Sequence, residues 1–283
     1  MTENDLKRSL HKLKVKRDAL LMVHSSLSSF GSSDGVFAEC EEKEEVGHFE
    51  GGAEGVITTL LAVVSDGTVV MPTYTRYVKN GPAFDLATSP SDCGIIAERF
   101  RLRSDVVRQS NHPTHSMAMW GRHQAELLTA LENRRSGTYD FFIRNKGQTL
   151  LIGIGHETHS FIHHMLDEAP EFGAPDVGRG VNSILFPRLV PWLENIGAQR
   201  STQCGGSRLR LIDVLKARDA VHQALRDRPD LFDAPPSSVE NSYRLGKNPF
   251  LGSPSARKKK ESDVGSPTTR KKKESEEEKH NGN

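Results

Sequence analysis

TLLIGIGHETHSFIHHMLDEAP, Thr149 to Pro170, opens as a continuous apolar run, breaks at a Gly-Ile-Gly, and then changes to helical spacing. A short apolar run bounded by glycine reads as a strand buried on both faces. Thr158 or Ser160 stands where a helix N-cap is wanted, so His163 falls near the first turn of the helix that follows. LLMVHSSL (Leu20 to Leu27) and TVVMPTY (Thr68 to Tyr74) are further runs of the same kind, each ending in small or polar residues. Between them GGAEGVITTLLAVV (Gly51 to Val64) and SDCGIIAERFRLR (Ser91 to Arg103) carry helical periodicity, with Ser91 as the expected N-cap of the second. SMAMW, Ser116 to Trp120, reads as one more strand. This alternation predicts an α/β fold, a single layered domain over residues 1–233 with a central mixed sheet flanked by helices. Ligands of such sheets bind beyond the carboxyl ends of the strands, so the polar loops there are the places to look for chemistry.

The remaining composition narrows the classes of function. With 283 residues, 38 Lys and Arg against 37 Asp and Glu, and a formal charge of +1, the chain gives no overall electrostatic case for nucleic acid as a partner. Cys40, Cys93 and Cys204 lack the spacing of a disulfide framework or a zinc site, which suits a reducing compartment. The charged start has no signal-peptide run, and nowhere do roughly 18 apolar residues stand together, so a soluble, cytoplasmic protein without membrane association is expected.

Two segments fall outside the layered pattern. From residue 234 to 283 the apolar periodicity vanishes, and GSPSARKKKES from Gly252 returns as GSPTTRKKKES from Gly265. Such a duplication buries too little apolar surface to offset its ordering entropy, so a disordered charged tail is expected, its basic runs balanced by its own glutamates. The acidic stretch from Gly35 to Glu50 reads as an exposed insertion, occupying residues 36–50 of the domain.

Three loops carry groups suited to chemistry. VHSSLSSFG (Val23 to Gly31) runs from a strand into hydroxyls, and GGAEG then opens a helix; small residues and helix N-terminal amides together suit an anion such as a pyrophosphate. The first of these is equally a purely structural turn, and it lacks both the Walker lysine and the dinucleotide glycine spacing. NHPTHSMAMWG (Asn111 to Gly121) sets Ser116 beside His115, but no nucleophile elbow surrounds the pair, which disfavours a serine hydrolase. GHETHSFIHHMLDEA places His163 beyond a strand's carboxyl end, where an imidazole that titrates near neutrality can take a proton from an attacking amine. His159 and His163 share a helix face, which raises a metal site, yet no H-E-x-x-H is present and no metal is expected. His156, His159 and His164 are read as structural histidines.

Taken in order, VHSSLSSFG, GGAEGVI, GTVVMPTYT, FDLATSPSDCGIIAERFRLRSDVVRQSNHPTHSMAMWG, LLIGIGHETHSFIHHMLDEA and SRLRLIDVLKARDAVHQALRDRPDLF resemble the aminoglycoside N(3)-acetyltransferase family. The resemblance spans about Lys14 to Phe232. It implies an enzyme, an acyltransferase that moves acetyl from acetyl-CoA to the 3-amino group of an aminoglycoside or a similar amine. Ser25, Ser26, Leu27 and Ser28, with Gly52 and Ala53, would hold the CoA pyrophosphate. His163 would be the general base in a direct attack without an acyl-enzyme, and His115 and Ser116 would lie near the acetyl end, where a hydroxyl stabilises developing negative charge. The family's acid three residues after the histidine is Leu166 here, so Asp167, at i+4, is the acid expected to reach His163. Asp85 and Glu168, with Asp167, are the acids expected to meet a polycationic substrate. The alternative function is a catalytically impaired relative that keeps the fold and serves as a CoA-binding or interaction protein.

Overall fold

Leu20–Ser25 forms strand β1, and its neighbours on either side are β2 (Thr68–Pro72) and β5 (Gln148–Ile152), both parallel to it. The computed structural model describes residues 1–31, 49–75, 83–109, 115–133, 136–173 and 177–233. Antiparallel strands extend the sheet beyond this parallel centre. β4 (Met117–Gly121) and β3 (Val107–Gln109) follow β2, while β7 (Ser207–Asp213) and β6 (Gln199–Cys204) follow β5. Among the described residues seven strands stand in the order β3-β4-β2-β1-β5-β7-β6. The mixed sheet expected from the sequence is therefore present.

Strand periodicity explains why the sheet is covered on both faces. Leu20, Met22, Val70 and Leu151 point into one apolar cluster, shared with α4 (Gln124–Asn133), α5 (Gly137–Arg144), α6 (Phe161–Asp167), α7 (Val190–Asn195) and α8 (Val214–Asp227). Leu21, Val23, Val69, Met71, Leu150 and Ile152 point the other way, against α1 (Glu3–Lys12), α2 (Gly52–Val63) and α3 (Ile95–Arg101). A slip of one residue would exchange the two sets, and each fully buried side chain of this size contributes about 2 kcal/mol, so the register is firmly held.

Chain order places the site. From β1 the chain crosses to β2 on one side, and it later returns to β5 on the other, so β1 marks the point where the strand order reverses. Loops leaving the carboxyl ends of such neighbouring strands diverge, and a crevice opens between them.

Some local expectations are corrected. Ser91 does not cap α3: the helix begins at Ile95 behind Gly94, whose φ of 95° breaks the helical path. Ser91 instead accepts from the Cys93 amide at 3.1 Å and donates its own amide to Glu98 at 2.7 Å. Ser160 occupies the N-cap position of α6 but makes no side-chain capping bond, because its own backbone is already helical. Most of the acidic insertion, Cys40 within it, and the whole of residues 234–283 lie outside the described residues. Where the insertion re-enters the described chain Glu50 is exposed but Phe49 is buried, its ring 4.9 Å from that of Phe30, because an apolar side chain directly before α2 falls into the cluster beneath that helix.

Candidate active site

A cavity of about 750 Å³ lies beyond the carboxyl ends of β1, β2 and β5. Its floor begins with Val23, His24 and Ser25 at the end of β1 and continues through Ser26, Leu27 and Ser28. This serine turn is fixed from several directions. The Ser26 amide donates to the Ile152 carbonyl at 3.0 Å, the Ser26 and Ser28 hydroxyls lie 2.9 Å apart, and Ser29 Oγ donates to the Ser26 carbonyl at 2.6 Å. Gly153 allows the closure of β5 onto this turn. Its φ is +67°, and a methyl group at that position would overlap the Ser29 side chain.

The other walls come from three segments. Pro72 and Tyr74 leave β2; Asp92, Cys93, Gly94 and Ile95 lead into α3; and Ile154, Glu157, Thr158, Ser160, Phe161, His163 and His164 belong to the β5–α6 connection and its helix. Tyr74 OH donates to Ser160 Oγ at 3.3 Å, and burial holds this phenol well above its ordinary pKa, so it remains a protonated donor. Glu157 accepts from the Gly155 amide at 2.9 Å. His115 also lines the cavity, its ring 6.3 Å from that of Tyr74.

His163 is half-buried on this wall, in the first turn of α6, with its amide bonded to the Ser160 carbonyl. Its Nδ1 lies 2.9 Å from the Gly178 carbonyl oxygen. A carbonyl can only accept, so Nδ1 carries a hydrogen and, in the neutral ring, Nε2 keeps a lone pair, a tautomer assigned from the bonding pattern. Phe186 packs edge-on against the ring at 4.8 Å. The imidazole is thus oriented and holds an available basic nitrogen.

Several expected site residues stand elsewhere. Ser116 is fully buried and absent from the cavity lining: it donates to the Thr73 carbonyl at 2.6 Å and accepts from Arg108 at 3.3 Å. Directly before β4, its hydroxyl is drawn into the polar network around Arg108. Gly52 and Ala53 open α2 but lie outside the lining, since the Gly52 amide caps back onto the Phe49 carbonyl and Ala53 packs into the apolar cluster. Asp85 is exposed on a turn, its carboxylate accepting from Thr88 N, Thr88 Oγ1 and Ala87 N, and these bonds, led by Thr88, lower its pKa. Glu168 is exposed behind Tyr139, whose hydroxyl it accepts at 2.8 Å. Asp167 does not bond to His163; it accepts from the Gly178 amide at 2.7 Å. One further turn of helix carries its side chain past the ring and onto the neighbouring loop. Among the described residues, the acids that line the cavity are Asp92 and Glu157.

Three site features were not anticipated. His164 lines the cavity, stacked on Tyr139 at 5.3 Å and 14°. His24, His156 and His159 form a buried chain of rings at 6.4 and 6.0 Å, with His156 Nε2 on Gln199 at 2.6 Å and His159 Nε2 on Thr149 at 3.1 Å. Burial pushes His24 and His156 down to about 4 and holds His159 well below its ordinary 6.5, so all three are neutral at pH 7. Arg108, also buried, donates to the carbonyls of Thr73, Leu86 and Ser89 and so ties the exit of β2 to residues 84–89. Among the described residues no group of three His, Cys, Asp or Glu side chains is placed to hold a metal ion, and no helix is long and apolar enough to cross a membrane.

The profile of the aminoglycoside 3-N-acetyltransferase family matches residues 42–226, more than half of the chain. The chain belongs to that family. Among the relatives of this acetyltransferase-family chain is the SPbeta prophage-derived aminoglycoside N(3')-acetyltransferase-like protein YokD of Bacillus subtilis (strain 168), 28% identical over 190 residues. That match covers 57% of this chain and 63% of the relative. Aminoglycoside N(3)-acetyltransferase III of Serratia marcescens is 29% identical over 195 residues, covering 60% of this chain and 65% of the relative. The match thus spans somewhat less than two thirds of these relatives' length. In fold, the family member resembles the apoenzyme of aminoglycoside acetyltransferase AAC(3)-IVa with a TM-score of 0.65, at 22% identity over 86% of this chain and 97% of the other. It likewise resembles AAC-IIIb, solved as a binary complex with CoASH, with a TM-score of 0.64 at 18% identity over 84% of this chain and 99% of the other.

Proposed function

We propose that this family member transfers acetyl from acetyl-CoA to an amine, with the 3-amino group of an aminoglycoside as the leading acceptor. The observation that carries this reading is His163: a cavity-lining imidazole whose Nδ1–H is committed to Gly178, leaving Nε2 to accept a proton. In the proposed reaction the amine nitrogen bonds to the acetyl carbon and its proton passes to Nε2. The bond from that carbon to sulfur then breaks, and the thiolate recovers a proton from the imidazolium.

The remaining assignments follow from what shares the cavity. The serine turn, Ser25 to Ser28, supplies hydroxyls suited to the phosphate end of CoA, and the size of the cavity suits a pantetheine arm with an acceptor beside it. His115 and Tyr74 supply polar groups on the wall shared with Ser160. Asp92 and Glu157 take over the role first given to Asp85 and Glu168, offering negative charge to an ammonium group. AAC-IIIb was solved with CoASH and AAC-VIa with sisomicin, which supports small-molecule partners of both kinds. A free thiol at Cys204 suits the reducing cytoplasm.

Thiol release from acetyl-CoA, followed over a panel of aminoglycosides, tests the proposal. Acceptor-dependent thiol above the uncatalysed rate is expected. CoA binding without any such release would favour the alternative, an impaired relative, which the replacement of the family's acid by Leu166 makes worth separating.

A further inference from the structure

A catalytic imidazole is commonly oriented by a side-chain carboxylate, whose loss or replacement by an amide sets the wrong tautomer. Leu166, three residues on from His163 in α6, is fully buried in the apolar cluster beneath that helix and offers no such group. We propose that Gly178, gripped by Asp167, is the positioning element for His163, a main-chain carbonyl serving where a carboxylate would otherwise stand. This inference deepens the proposed function and rests on the reading of His163 as the base.

Both polar groups of Gly178 bond to α6, and its carbonyl also accepts from the Val181 amide at 3.2 Å within its own turn. Its carbonyl accepts from His163 Nδ1 at 2.9 Å, while its amide donates to Asp167 Oδ1 at 2.7 Å. His163 and Asp167 are four residues apart and so project from one face of the helix. The short 3-10 turn that bears the glycine, Val177–Gly180, is thereby pinned along that face at two points. Space explains the residue type. A methyl group at position 178 would overlap the His163 carbonyl oxygen and the Leu166 side chain, so the turn can approach closely enough only with glycine. The carboxylate never touches the ring; it fixes the carbonyl that does.

Toward Gly178, what position 167 supplies is an accepting oxygen. Asparagine retains that oxygen and alanine does not, so the two variants separate the roles. Imidazole nitrogen-15 spectra report the His163 tautomer without requiring turnover. Asp167→Ala is expected to raise the Nε2–H form of His163 and to lower kcat about tenfold, the worth of one net hydrogen bond, with KM for acetyl-CoA nearly unchanged. Asp167→Asn is expected to restore the wild-type tautomer and most of the lost kcat, with the pH profile following wild type. Gly178→Ala should reproduce the tautomer shift of Asp167→Ala in protein whose circular dichroism is native. The inference is overturned if Asp167→Asn is as impaired as Asp167→Ala, which would mark a charge-dependent role, or if the spectrum of Asp167→Ala matches wild type. Should no acceptor be acetylated by any variant or by wild type, the proposed function fails, while the tautomer measurement still decides the clamp.

Discussion

Tyr74 OH donates to Ser160 Oγ at 3.3 Å, so the end of β2 and the start of α6 meet across the wall of the cavity. This bond joins the strand exit to the helix that carries His163 three residues later. Tyr74→Phe removes the donor and leaves the ring. It is expected to cost about 1 kcal/mol in urea unfolding and to lower kcat several-fold, with CoA affinity retained. Equal stability and equal kcat in the variant would show that the bond does not organise the wall.

Gly153 closes β5 onto the serine turn with a left-handed backbone, and Ser29 fills the space where a side chain would project. Gly153→Ala should therefore combine backbone strain with displacement of the turn, destabilising the fold by roughly 1–3 kcal/mol. Calorimetric titration should also show weaker CoA binding, because Ser26 and Ser28 move with Ser29. Weakened stability with unaltered CoA affinity would separate the turn from the cofactor.

The buried histidines set the acid limit of the fold. Desolvation holds His24 and His156 near 4, against an ordinary value of 6.5, so the unfolded chain binds more protons than the folded one between those values. Their contribution is complete above pH 6.5 and is lost as pH falls towards 4. Each shift of this size corresponds to about 3 kcal/mol. Thermal unfolding should show a steep fall in Tm between pH 6.5 and 4, shallower in His24→Gln. A flat profile over that range would contradict neutral burial of these rings.

Arg108 spans three main-chain carbonyls with a planar fork, which a lysine cannot imitate. Arg108→Lys is expected to lose at least about 2 kcal/mol in denaturant unfolding, since buried acceptors are left unpaired. A stability equal to wild type would mean that this network is dispensable.

The central strands were legible because β1, β2 and β5 are buried on both faces and so read as unbroken apolar runs. β7 carries a weaker signal: its SRLRLID alternates buried and more exposed positions, the pattern of a strand half covered, and no strand was assigned there. The sequence places His163, His115 and the serine turn beyond strand ends, and each of them lines the cavity. The partners of these groups were not legible. Gly178 lies fifteen residues beyond His163, in a stretch of 3-10 turns without helical or strand periodicity, and nothing local marks its carbonyl as the acceptor. Asp85 and Glu168 were chosen for their charge, yet a local turn and the Tyr139 hydroxyl occupy them, and their replacements Asp92 and Glu157 are acids of the same local appearance. The partners of Ser116 are equally hidden from the sequence, because Arg108 approaches it from a different strand.

The most direct measurement compares turnover and CoA affinity in wild type and His163→Ala with acetyl-CoA and an aminoglycoside such as kanamycin. If Nε2 of His163 takes the amine proton, kcat should fall by roughly 10²- to 10⁴-fold while the Kd for CoA stays close to wild type. An unchanged kcat in the variant would contradict the account.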